Sequence, residues 1–251
     1  MEKGDDASLR MALAHPNAHV KMRALRLLQE AGTLPEEATG SDAFQLFQRF
    51  GEMKEAADRD ALIAAYVAAD DDWSKSALLA AAAPEAMAVL ERALRSEAEA
   101  AKVAELVRFL TPVALRNEGE SRAAELVRMA AGGLPGNVNA AREVLQILGR
   151  EKDIKPVMTE ELKKALVHFL QSPQFDELAL PLAARWDKEG QLRPQIEAVT
   201  EVLLKDIGNA WASVDLRLQA AESLLQSDGE KGGERVVGLL LKDDTVNFAD
   251  F

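Results

Sequence analysis

Apolar residues return along this chain every three or four positions, the interval that keeps side chains on one side of an α-helix. The clearest stripe is Leu192, Ile196, Val199, Leu203 and Ile207. Its opposite face carries Glu201 and Lys205 in the favourable i, i+4 order. Three distant stretches share a stricter rule: a large apolar residue, Ala four positions on, then a small or aliphatic residue after four more. Val20, Ala24 and Leu28 obey it, as do Trp73, Ala77 and Ala81, and Leu216, Ala220 and Leu224. One buried helix seam is thus predicted to recur, with Ala where helices approach closely.

Punctuation divides the chain into short helices. Residues 8–14 and 18–30 read as a helical hairpin broken at His15-Pro16-Asn17, and 33–40 as a loop. Ser41-Asp42 caps a helix carrying Phe44, Phe47 and Phe50 as core. Helices follow over 58–69 and 73–83, separated by Asp70-Asp71-Asp72, and Pro84 opens another. Ser96 with Glu99, and Asn117 with Glu120, have capping-box spacing and predict starts for helices over 97–113 and up to 131. Beyond the break at 132–136 come 137–149, 159–171, 175–186 with Gly190 after it, the long stripe, and 213–226. Residues 227–233 read as a flexible break before a last helix, 234–241. One helical-repeat domain over 1–251 is expected, with units near 8–31, 42–83, 84–116, 118–150, 158–188 and 191–227 and an incomplete unit, 233–251. The unmated last helix and the apolar Phe248 and Phe251 point to a segment of a longer protein, the alternative being a tail docked on that helix.

Composition agrees with an all-α chain: 48% of the 251 residues are hydrophobic and 5% aromatic, and Ala and Leu outnumber β-branched types. The absence of Cys excludes disulfides, thiolate metal sites, iron–sulfur clusters and covalently held c-type haem. A net charge of −12 opposes a polyphosphate backbone, so nucleic acid is not an expected partner. No apolar run reaches the roughly 20 residues that span a bilayer, and residues 1–6 are polar and acidic, unlike the start of a signal peptide. A soluble chain is the expectation, with the compartment open.

The phrase His15-Pro16 through Val20-Lys21, Ala24 and Leu27-Leu28 resembles the second half of a HEAT repeat, and Leu216-Arg217 with Ala220 and Leu224 resembles it equally. That resemblance implies a HEAT-like, armadillo-like α-solenoid of antiparallel helix pairs. It also implies a ladder between turn Asp residues and a basic residue, a position that Lys21 and Arg217 fit and Ser74, Ala104 and Ala179 do not. The stretch Asp70 to Leu79, together with the His-Pro-Asn unit, is similar to the helical region of large exported planctomycete and verrucomicrobial proteins. Those proteins join a propeller-like dehydrogenase domain to HEAT-like repeats and a c-type cytochrome. A spacer role between redox domains is what this second resemblance implies.

Chemistry is sparse. His15, His19 and His168 are too scattered for a metal site, and His168 is expected half-buried and bonded to a carbonyl. Asp70, Asp71 and Asp72 lack the spacing of a calcium loop and read as helix capping. No nucleophile elbow, Walker-type loop or dinucleotide fingerprint occurs. No catalytic residue, cofactor or metal is therefore assigned. Lys21, Arg23 and Arg26 form a basic cluster; by the HEAT resemblance Arg23 and Arg26 would share an exposed inner face, meeting an acidic partner or balancing nearby carboxylates. Trp73 and Trp186 sit at seam positions. Trp211, in the turn between Gly208 and Ser213, is a candidate anchor for a partner or a residue packed under a neighbouring loop.

The expected function is a non-enzymatic scaffold for protein–protein interaction or domain spacing, its partner a protein or neighbouring domains of the same polypeptide. The alternative is an accessory, non-haem part of a redox enzyme or a divergent helical-repeat enzyme. A cleft lined with an aromatic and two carboxylates favours the enzyme; an evenly charged groove favours the scaffold.

Overall fold

The computed structural model describes residues 6–13, 20, 23–24, 27–28, 42–51, 53, 55–116, 119–133, 136–209 and 211–240. Among them every regular element is helical and no strand occurs. Twelve α-helices have described bounds: α1 Asp6–Leu13, α2 Asp42–Phe50, α3 Ala56–Ala68, α4 Asp72–Ala82, α5 Ala86–Leu94, α6 Ala100–Leu115, α7 Gly119–Gly132, α8 Val138–Arg150, α9 Glu160–Leu170, α10 Asp176–Trp186, α11 Arg193–Ile207 and α12 Val214–Leu240. Val20, Arg23, Ala24, Leu27 and Leu28 are helical too. None of these helices is long and apolar enough to cross a membrane.

Local chemistry explains the helix starts. The Asp71 carboxylate accepts the Ser74 backbone N–H at 2.8 Å, so Asp71 caps α4. Asn137 Oδ1 accepts from Ala140 at 3.0 Å, and Thr159 Oγ1 from Leu162 at 3.2 Å, capping α8 and α9. After α10, Asp187 accepts both Gln191 N–H at 2.9 Å and Leu192 N–H at 2.6 Å while Gly190 takes φ +73°, a backbone region that suits glycine. The box expected at Ser96 and Glu99 does not form: Ser96 Oγ accepts from Ala98 two residues on, and α6 begins at Ala100. A reciprocal cap instead opens α3, where Asp58 Oδ2 takes the Glu55 N–H at 3.0 Å. The start predicted at Asn117 lies outside the described residues, as does the loop at 33–40.

The chain divides into two compact units, Met1–Arg116 with Pro135–Ala140, and Asn117–Leu134 with Ala141–Phe251. In the first, α3 packs on α4, α5 on α6, and helices also touch the next but one: α2 with α4, α3 with α5, α4 with α6. The second repeats the scheme, with α9 on α10 and α11 on α12, and with α7 touching α9, α9 touching α11 and α10 touching α12. Its core holds Trp186, Phe169 and Phe175, the two phenylalanine rings meeting edge to face at 5.2 Å.

The recurring seam is real but shifted. Ala24, Ala77 and Ala220 are buried together with Leu28, Ala81 and Leu224, whereas the leading residue of each triad is not: Val20 is 37% and Leu216 42% exposed, and Trp73 is half-buried. Trp186 alone of the two seam tryptophans is core. Phe47 and Phe50 are buried; the side chain of Phe44 lies outside the description. The long stripe buries Leu192, Val199, Leu203 and Ile207, with Ile196 half-buried.

Residues 227–233, expected as a break, lie within the continuous assigned helix α12. Yet a Cβ on Gly233 would sit 3.4 Å from Leu225 Cδ2, and one on Gly208 would sit 4.0 Å from Leu239 Cδ2. Positions eight apart in a straight helix are separated by about 12 Å. The run therefore folds back between Leu225 and Gly233, where Ser and Gly residues permit a sharp bend, and its returning limb buries Val236.

Candidate functional site

The second unit carries a polar cleft of ≈ 220 Å³ with walls from α8, α10 and α12. Its construction follows from helical spacing. Arg142, Gln146 and Arg150 are four apart on α8, Glu177 and Pro181 four apart on α10, and Gln219 with Ser223, and Glu222 with Gln226, four apart on α12. Each set shares one helix face. The opposite faces of α8 and α10 supply core residues, including Ala141, Leu148, Ala179 and Ala183.

Within the cleft, Arg142 joins two helices. Its Nη2 donates to Glu177 Oε1 at 2.8 Å and its Nη1 to the Gln174 carbonyl just before α10. Arg150 is exposed at the other end of the α8 stripe. On α12, Gln226 Nε2 donates to Glu222 Oε1 at 2.9 Å, and Ser223 is buried in the wall. Two guanidinium groups and two carboxylates share the lining with three Gln amides, and no aromatic side chain takes part. Asp176, the first residue of α10, has its carboxyl raised above the ordinary range, mainly by burial and partly by the neighbouring Glu177 charge.

Below the cleft, Arg185 reaches from α10 to the end of α8, donating to the carbonyls of Leu148 at 2.8 Å and Gly149 at 3.1 Å. Burial lowers its guanidinium below the usual value. Trp186 Nε1 donates to the Ile154 carbonyl at 2.8 Å. Arg217 Nε donates to the Ile207 carbonyl at 2.8 Å, so the residue proposed for an Asp ladder caps the end of α11. These contacts hold the three walls of the cleft in place.

In the first unit, Lys75 Nζ lies 5.7 Å from the centroid of the buried Tyr66 ring and 2.9 Å from Glu105 Oε2. Burial first, then the Glu105 charge, pushes the Tyr66 phenol up.

Of the residues singled out by sequence, Trp211 stands 97% exposed in the turn between α11 and α12, so it is not packed under a loop. Arg23 is exposed and belongs to the first unit; Lys21, Arg26, His15 and His19 lie outside the described residues. His168 is exposed on α9 with its ring 5.9 Å from that of Phe169, contrary to the half-buried, carbonyl-bonded histidine expected. Asp71 is a cap, while the Asp70 side chain is 96% exposed, 3.8 Å from Lys102 Nζ. Among the described residues no group of three His, Cys, Asp or Glu is placed to hold a metal ion. Sequence reasoning missed the cleft, although its polar residues recur every four positions on helices whose other side is apolar. No protein-family model, curated protein or solved structure matches the chain.

Proposed function

We propose that the chain is a helical-repeat scaffold that binds a protein segment, or a neighbouring domain of its own polypeptide, in the α8–α10–α12 cleft. The observation that carries this reading is the one-face alignment of polar residues on three alternate helices, in a unit where α7 touches α9, α9 touches α11 and α10 touches α12. Cross-links from side chains recur at similar separations in both units: 32 residues for Arg92 to Asp60, 30 for Lys75 to Glu105, 35 for Arg142 to Glu177 and 37 for Arg185 to Leu148. Such spacing supports a HEAT-like stack of antiparallel helix pairs within each unit.

The chemistry of the cleft favours binding over catalysis. Glu177 is held by Arg142 and Glu222 by Gln226, so neither carboxylate is free to act as an acid or base, and no aromatic is present to stack a ring substrate. Gln amides offer both donors and acceptors, which suits the main chain of a bound segment. Photoreactive side chains placed at Gln146 and Gln219 in the native cell test the proposal. A discrete covalent protein adduct, absent when the probe stands at the exposed Lys188, is expected. Adducts of the same pattern from all three positions would overturn it.

A further inference from the structure

Pro181 stands inside α10 and lines the cleft. A proline has no N–H, so the Glu177 carbonyl, four residues back, is left without its helical donor. Among the described residues no side chain donates to it instead: the side-chain bonds of Glu177 run from Arg142 to its carboxylate and from its own N–H to Asp176 Oδ1. In a helix that carbonyl is flanked by Glu177, Leu178 and Pro181, and all three line the cleft. It therefore opens onto the wall. Pro112 makes the same break in α6, but at a position exposed to water, whereas Pro181 is buried.

We infer, on the reading that the cleft holds a protein segment, that the Glu177 carbonyl accepts a main-chain N–H of that segment, so that the cleft recognises an extended peptide by its backbone. An occupant that expels water from the wall has to supply a donor there, because an acceptor dried without a partner keeps its desolvation cost. A neutral donor fits best. The lining sets two guanidinium groups, Arg142 and Arg150, against two carboxylates, Glu177 and Glu222, so neither a cationic nor an anionic group gains from it in sum. Every residue of a peptide except proline brings one such N–H. Gln146 and Gln219, on the other two walls, carry amides that both donate and accept and can take up the next main-chain groups.

Phage-displayed peptides selected on the whole chain supply the probe, and those whose binding is lost in Q219W, which fills the cleft, occupy it. Single N-methylation along the best synthetic peptide should weaken its binding about tenfold at one residue. P181A gives the Glu177 carbonyl a helical N–H; it should weaken the unmodified peptide to a similar degree and remove the effect of the methyl group, a coupling that a mere change of shape would not produce. P112A leaves binding within about twofold. The methyl scan on the native chain needs no variant and decides the matter should P181A fold poorly. No methyl-sensitive residue, or a methyl effect undiminished in P181A, would overturn the inference and leave the reading of the cleft standing. The absence of any selected peptide sensitive to Q219W would overturn both.

Discussion

The two units tie their helices together by different chemistry. In the first, helices separated by one are joined by ion pairs between side chains: Arg59 with Glu85, Arg92 with Asp60, Lys75 with Glu105. The second uses side chains that end on main-chain carbonyls, Arg185 on Leu148 and Gly149, Trp186 on Ile154 and Arg217 on Ile207. Each unit has one mixed case, since Lys102 reaches the Val67 carbonyl in the first and Arg142 pairs with Glu177 in the second. Ion pairs between side chains, part-buried or exposed here, are weakened by salt. A carbonyl that loses its donor where water reaches it poorly, as at Ile207, keeps its desolvation cost at any salt. The unit that carries the cleft is thus the one braced by bonds that are costlier to remove.

Substitutions separate the two modes. Trp186 is 2% exposed, and W186A, which deletes both its packing and its bond to Ile154, should cost about 3–5 kcal/mol in urea unfolding. W186F keeps the ring volume in part and should cost about 1–2 kcal/mol. Arg217 is 7% exposed, and R217M keeps the stem but takes the donor from the Ile207 carbonyl, an expected loss of about 1–3 kcal/mol. D71A removes the cap of α4 at a cost of about 1 kcal/mol. The bonds to Ser74 hold the Asp71 carboxyl below its ordinary value, so its contribution is complete above the unfolded value near pH 4 and is lost as pH falls through the lower folded value. The difference between wild type and D71A should therefore shrink in acid; a constant difference down to pH 2 would refute the charged cap. E105Q should cost least, about 0.5–1 kcal/mol, and less still in 1 M salt. A salt-independent loss there would erase the contrast between the units.

What the sequence revealed was local. Asp71, Asn137, Thr159 and Gly190 act within five residues of their own position, and their chemistry is readable from spacing alone. The Ala seam was readable for the same reason, but its leading Val20 and Leu216 are exposed because periodicity gives a face and not the depth of each residue along it. Contacts across 30 or more residues were not readable. Nothing near Arg185 or Trp186 announces the carbonyls of Leu148 and Ile154, and the polar fours of α8, α10 and α12 look like any solvated face until three helices bring them together. Residues 227–233 show both sides: their Gly and Ser content marks a reversal, but the contact that reveals it, Gly233 against Leu225, is not written in the spacing.

The central claim is that the second unit is a stack in which each helix depends on its near neighbours. Residue-resolved hydrogen exchange on W186A tests it most directly. The stack predicts that protection falls most in α10 and the helices it contacts, α9, α11 and α12, and least in α7; an equal loss from α7 to α12 would mean one indivisible core and would contradict the account.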